Sequence, residues 1–69
     1  MTSISLNGAP ASVDAGTTVA DLLARLDVGP QARGVAVAVD AEVVPRGEWP
    51  RRVVGEGAQV EVVTAIQGG

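Results

Sequence analysis

Alternating apolar and polar residues at the start of the chain predict two short strands joined by a tight turn. Ile4 and Leu6 alternate with serines before Asn7-Gly8, and the alternation resumes as far as Val13. An Asn-Gly pair supplies the positive φ values that a two-residue hairpin turn needs. Because Pro10 lacks the N–H of a ladder hydrogen bond, the second strand is predicted to lie at an edge of the sheet.

The apolar spacing then changes from that of a strand to that of a helix. Thr18 can cap the helix through its hydroxyl, and Asp21 three residues later completes a variant of the capping box. The apolar positions fall at i, i+3, i+4 and i+7 and form one stripe: Val19, Leu22, Leu23 and Leu26. Asp21 and Arg25 are spaced for an i,i+4 ion pair, and Gly29-Pro30 is predicted to end the helix.

Three further strands are predicted in the second half. Valines alternate with alanines over residues 35–39, which favours an interior strand, and Asp40-Ala41 then turns the chain. Residues 42–44 form a short strand that Pro45 stops, since proline cannot continue the ladder.

The last predicted strand follows the turn Gly55-Glu56-Gly57 and runs to about Ile66, with Val60 and Val62 on its core face. The order strand, strand, helix, strand, strand, strand predicts a single α+β domain whose helix packs across one face of the sheet.

Composition narrows the chemistry that this chain can perform. Of its 69 residues 46% are apolar, but Trp49 is the only aromatic one, so the core is built from small side chains and a roomy internal cofactor pocket is not expected. The chain has no cysteine and no histidine. Their absence removes the thiol nucleophile, the usual general base and most transition-metal ligands. We therefore expect no catalytic residues, no bound metal and no bound cofactor.

Charge and hydropathy exclude two further classes of partner. The net charge of −3 argues against a phosphate-binding surface, and Arg51-Arg52 is interpreted as a solvated pair on a turn. No apolar run reaches the length of a membrane span, and residues 1–8 lack the pattern of a secretory leader. We expect a soluble, cytoplasmic protein that binds neither nucleic acid nor membrane.

Three stretches carry a resemblance to a known family. The order of elements with Gly68-Gly69 at the end resembles the ubiquitin-like β-grasp fold. Val43–Trp49, VVPRGEW, resembles the Val-Pro-Arg-x-x-Trp segment of the bacterial sulfur carrier proteins of thiamine thiazole biosynthesis. Ala15–Val19 and Leu22-Leu23 resemble the entry to the helix of that family.

The resemblance covers essentially the whole chain and implies that the chain has two parts, a folded domain and a tail. Residues 1–65 would form the β-grasp domain, with a mixed sheet of four to five strands and one helix. Residues 66–69 would form a flexible C-terminal tail.

The resemblance also implies a function, that of a sulfur carrier without enzymatic activity. A ubiquitin-activating-type enzyme would use ATP and Mg²⁺ to adenylate the carboxylate of Gly69. A cysteine desulfurase or sulfurtransferase relay would supply sulfur, and the resulting thiocarboxylate would donate it to thiazole synthase. Gly68, Gln67 and Ile66 would thread the active site of the partner. Two glycines suit a narrow channel, because residues without a Cβ allow close approach of the enclosing backbone.

Strand alternation suggests where such partners dock. If Val60 and Val62 face the core, Glu61 and Val63 face the opposite side of the sheet, close to the tail. An exposed Val63 is then a candidate contact, although single exposed valines are also common on surfaces that bind nothing.

Other interpretations stay open at this point. The small subunit of molybdopterin synthase resembles the same fold and ends in the same two glycines. A ubiquitin-like modifier would join its activated end to lysines, and an interaction module would need no free end. Within VPRGEW, Pro45, Gly47 and Trp49 also suit a purely structural role, as a strand stop, a turn and a cover for the core. The role of Arg46 is left open.

Overall fold

The computed structural model of the protein describes residues 1–29 and 33–64. Five strands, one α-helix and a single 3-10 turn follow one another along these residues. Their bounds are β1 (Thr2–Leu6), β2 (Ala9–Val13), α1 (Val19–Arg25), β3 (Val35–Val39), β4 (Glu42–Val43), the 3-10 turn (Arg46–Glu48) and β5 (Gln59–Thr64). This is the element order that the sequence predicts, with the 3-10 turn added.

The strands form one mixed sheet in the order β2-β1-β5-β3-β4. The last strand in sequence lies at the centre, where it runs parallel to β1 and antiparallel to β3. The two hairpins, β1-β2 and β3-β4, are antiparallel and supply the flanks. One helix across a five-stranded mixed sheet is the predicted β-grasp arrangement.

Local turn chemistry explains both hairpins. Asn7 and Gly8 have φ values of 51° and 84°, and Asp40 and Ala41 have φ values of 52° and 68°. Positive φ at both central positions is what a two-residue turn between twisted strands requires. Pro10 lies in β2, which is an edge strand, as its missing N–H predicts.

The core fills the space between α1 and one face of the sheet. Its buried members are mostly valines and leucines, with Trp49 the largest side chain among them: Ile4, Val13, Val19, Leu22, Leu23, Val37, Val39, Val44, Trp49, Val54, Ala58 and Val60. Val62 is partly buried and packs against this cluster. The predicted core face of β5 is therefore confirmed.

The helix begins as predicted and ends earlier than predicted. The Asp21 N–H donates to the Thr18 hydroxyl at 3.1 Å, and the Thr18 N–H donates to the Asp21 carboxylate at 3.1 Å, which completes the capping box. At the other end α1 stops at Arg25, and Asp27 turns the chain with a φ of 61°. Gly29-Pro30 was predicted to end the helix. This prediction was wrong, because the helix ends before Gly29; Pro30 lies outside the described residues.

The early end of α1 changes the position of two side chains. Leu26, predicted to continue the apolar stripe, caps the helix and is 42% exposed. Arg25 was predicted to pair with Asp21, but its guanidinium lies 3.9 Å from the Asp14 carboxylate. Asp21 is instead held at the N-terminus of the helix by the capping box.

The Val43–Trp49 segment lies against the start of α1 and stabilises it. Pro45 precedes the 3-10 turn, as its role of strand stop requires. Trp49 is 4% exposed, and its indole N–H donates to the Val44 carbonyl at 3.0 Å. The Trp49 and Arg52 carbonyls accept from the Ala20 and Val19 N–H groups at 3.0 and 2.8 Å. These carbonyls satisfy helix N–H groups that have no partner within the helix itself.

We predict that the two leucines differ strongly in their contribution to stability. Leu23→Ala removes a side chain that is 2% exposed, and it should lower the free energy of unfolding by about 2–5 kcal/mol. Leu26→Ala, the matched control, should lower it by less than about 1 kcal/mol, because this residue caps the helix outside the buried core and is 42% exposed. Urea unfolding followed by far-UV circular dichroism measures both. Equal losses would show that Leu26 belongs to the core stripe after all.

Candidate functional site

The candidate site is the C-terminal end of strand β5 together with the sheet face that points away from the helix. The sequence reasoning placed Glu61 and Val63 on this face, and both are exposed in the structure. Val63 is 62% exposed, a large fraction for a valine in a central strand. The structure thus brings the two predicted docking residues together on one side of the sheet, next to the start of the predicted tail.

A second apolar group extends this face across the sheet. Val63 is opposite Ala36 of β3, Glu61 is opposite Ala38, and Ala38 is in turn opposite Val43 of β4. Residues directly opposite one another share a sheet face. Val43 is 71% exposed. We call the group of Val63, Ala36, Ala38 and Val43 the outer patch. The Glu61 carboxylate lies beside it.

The predicted tail residues, Ile66, Gln67, Gly68 and Gly69, lie outside the described residues, as does the boundary at residue 65. Thr64 is the last residue of β5 and is opposite Val35 of β3.

The backbone of β5 bonds alternately to its two neighbouring strands. The Val37 carbonyl accepts a hydrogen bond from the Val44 N–H at 2.8 Å, so the backbone groups of Val37 face β4. Those of Ala36, one residue earlier, face β5, where Val63 is the register partner. The N–H and C=O of Val63 therefore belong to the ladder with β3.

The other side of β5 is held by an asparagine that sequence reasoning assigned only to a turn. The Asn7 N–H donates to the Val60 carbonyl at 2.9 Å, and the Val62 N–H donates to the Asn7 side-chain oxygen at 2.8 Å. The Asn7 amide thus takes the place of a main-chain carbonyl where β1 has turned away. No local pattern shows this second role, because the two residues are 55 positions apart.

The residues of VPRGEW lie on the helix side of the sheet, away from the outer patch. The Arg46 guanidinium stacks 4.6 Å from the centre of the Trp49 ring. Arg51 donates to the Gly47 carbonyl at 3.3 Å, and Arg52 pairs with Glu42 at 3.5 Å. The predicted structural roles of Pro45 and Trp49 are confirmed, and the arginine pair makes contacts within the chain itself.

An apolar depression of about 460 Å³ lies beside α1, between Leu23, Val28 and Trp49. Among the described residues that line it, Asp27 and Arg46 are the charged ones. Across residues 1–29 and 33–64 there is no cluster of acidic side chains with the composition of a metal site. Within the same ranges no helix is long and apolar enough to cross a bilayer.

Comparison with known proteins links this geometry to a family. Residues 4–69 match the ThiS family model. The chain is 38% identical over 55 residues to the sulfur carrier protein ThiS of Escherichia coli K12, a match that covers 80% of each protein. It is 44% identical over 66 residues to a thiazole synthase of Magnetococcus marinus, where the match covers 96% of this chain and 20% of the relative.

Two solved structures share the fold over nearly the whole chain. Both are of the thiamine biosynthesis protein ThiS from Geobacter metallireducens, one by crystallography and one by NMR, and both are 33% identical to this chain. The crystal structure has a TM-score of 0.76, with 99% of this chain and all of the relative covered. The NMR structure has a TM-score of 0.77, with 99% and 88% covered. The chain therefore belongs to the ThiS family, the β-grasp sulfur carrier proteins of thiamine biosynthesis.

Proposed function

We propose that this protein carries sulfur as a thiocarboxylate on Gly69 and delivers it to thiazole synthase. The observation that carries the proposal is the family match, which runs through Gly68-Gly69 on a fold whose central strand leads towards them. The proposal requires Gly69 to be the last residue of the mature protein.

The chemistry needs activation because a carboxylate is a poor electrophile. A carboxylate oxygen of Gly69 attacks the α-phosphorus of ATP, pyrophosphate leaves, and an acyl-adenylate forms. The terminal sulfur of a persulfide then attacks the acyl carbon and displaces AMP. A thiol opens the disulfide formed in that step and releases the thiocarboxylate. Mg²⁺, held by the adenylating enzyme, neutralises the phosphates of ATP.

The residues of this chain supply reach and access. Gly68, Gln67 and Ile66 lead from the domain to the reacting carboxylate, each adding at most about 3.3–3.6 Å. Glycines fit a narrow channel because they lack a Cβ. With neither cysteine nor histidine in the sequence, we assign the catalytic steps to the partner enzymes and none to this chain.

The thiazole synthase of Magnetococcus marinus supports the choice of acceptor. About a fifth of that protein is similar to almost all of this chain, so a carrier-like segment and a thiazole synthase share one polypeptide there. Joining two proteins in one chain raises the effective concentration of each for the other. We infer that the separate carrier meets the same enzyme. The matches to ThiS also favour the thiamine branch over the molybdopterin branch.

The outer patch is the proposed docking surface, with Val63 at the end nearest the tail and Glu61 at its rim. An apolar centre with charged residues around it is the usual composition of a protein interface. Val63 lies one residue before the end of β5, so a partner that encloses the residues after β5 also meets this side chain.

The first prediction concerns the identity of the reacting group. After incubation with the adenylating enzyme, ATP and a sulfur source, the intact protein should gain the mass difference between one sulfur and one oxygen. A variant that carries two residues after Gly69 should show no gain, because its carboxylate has moved. Equal gains in both proteins, or lysine-linked adducts on other proteins instead, would contradict the assignment of a thiocarboxylate at Gly69.

The second prediction concerns docking. Val63→Asp places a charge in an apolar contact, and it should weaken binding to the adenylating enzyme by about tenfold or more. Val53→Asp is the matched control, because it makes the same change on an exposed valine outside the outer patch, beside Thr18. It should change the Kd by less than about twofold. Calorimetric titration measures both, and unchanged binding by Val63→Asp would remove Val63 from the site.

A further inference from the structure

Beyond Asn7, the edge of β5 that faces β1 has two main-chain groups that β1 does not pair with. The N–H and C=O of one strand residue point to the same side, and alternate residues repeat that direction. Since the Val62 N–H points to Asn7, the Val62 carbonyl and the Thr64 N–H also point past the hairpin turn. These two groups form what we call the open edge.

The open edge exists because β1 ends one step too early. The Ser5 and Asn7 N–H groups donate to the Ala58 and Val60 carbonyls, both at 2.9 Å. The next carbonyl in this series is that of Val62. The chain has by then turned at Asn7-Gly8, so β1 offers no further N–H to that carbonyl. The Thr64 N–H points past the same turn, where β1 offers it no carbonyl.

We infer that an extended segment of the adenylating enzyme pairs with the open edge and continues the sheet beyond Asn7. This inference rests on the proposed function, because the enzyme is the protein that takes up Gly69. The five residues after Thr64 span at most about 18 Å, so an active site that reaches Gly69 lies within that distance of Thr64. The open edge is therefore within reach of the body of the enzyme.

Covering this edge has a physical cost that only certain partners can offset. Buried main-chain groups without hydrogen-bond partners destabilise a complex by about 1–3 kcal/mol each. A single residue in an extended strand can offer an N–H to the Val62 carbonyl and a C=O to the Thr64 N–H. Asn7 pairs in a similar way one step earlier, with its N–H on the Val60 carbonyl and its side-chain oxygen on the Val62 N–H. Such pairing does not depend on side chains. It sets the direction and register of the partner segment, whereas specificity comes from contacts with the outer patch.

The decisive variant is Thr64→Pro, which deletes the N–H of the open edge. The Thr64 N–H takes no part in the β3 ladder, and proline is accepted where a strand N–H has no partner. We expect the Kd for the adenylating enzyme to rise about 2- to 12-fold, the loss expected for one hydrogen bond. Thr64→Ala, which keeps the N–H, is the control and should stay within about twofold of the wild type.

Hydrogen exchange followed by NMR tests the wild-type protein directly. The Thr64 amide should exchange rapidly in the free protein and at least about tenfold more slowly in the complex. The Val63 amide, bonded to β3, should be protected in both states and serves as the internal control. Unchanged exchange at Thr64, or equal binding of the proline and alanine variants, would overturn the inference while wild-type charging still supports the proposed function. A wild type that the enzyme neither binds nor charges would overturn both.

Discussion

The hydrogen-bond ladders on both sides of β5 are the constraint on which the rest of the structure depends. This strand is the last to be made, yet it lies in the middle of the sheet and joins two hairpins that do not otherwise touch in the ladder. Its pairing with β1 links residues 54 positions apart, which is a costly closure for a chain of 69 residues. The two halves of the domain therefore become one sheet only when β5 is in place.

The central position of β5 also fixes where the base of the C-terminal tail lies. Val60 anchors the strand in the core, Asn7 holds its flank, and Val63 faces solvent on the opposite side. Because the first part of β5 is paired on both sides, the base of the tail is fixed relative to the outer patch. In the proposed function, a partner thus meets the docking surface and the base of the tail at a set distance from one another. In the proposed function, geometry of this kind replaces catalytic residues.

The family marker VPRGEW serves the other side of the sheet. Trp49 fills the core, and its carbonyl and that of Arg52 accept from the first N–H groups of α1. Arg46 lies over the indole ring. The contacts described for this segment hold the helix against the sheet. They explain the segment by the requirements of the fold.

Local rules predicted what local interactions determine. The Asn7-Gly8 turn, the Thr18 capping box and the valine strand β3 each follow from residues within a few positions of one another. The prediction for Leu26 was wrong because apolar spacing does not show where a helix stops, and Asp27 reversed the chain before the stripe was complete.

Contacts between distant residues could not be predicted in that way. The pairing of Arg25 with Asp14 and the bond between Asn7 and Val62 depend on how whole elements pack. The mixed sheet of the β-grasp fold was expected only from the family resemblance, since alternation shows which face of a strand is buried but not which strands are neighbours. The proposed role of Gly69 comes from the same resemblance, because composition shows only that other reactive groups are absent.

The lone indole of this protein gives it a built-in optical reporter. With no tyrosine or phenylalanine in the sequence, near-ultraviolet absorption and intrinsic emission come from Trp49 alone. That ring is enclosed between the helix and the sheet, hydrogen-bonded to Val44 and covered by a guanidinium group. Its spectrum therefore follows the integrity of the packed interior and is shielded from events on the far side of the sheet. Light can be used to watch this carrier unfold, and a label must be added to watch it dock.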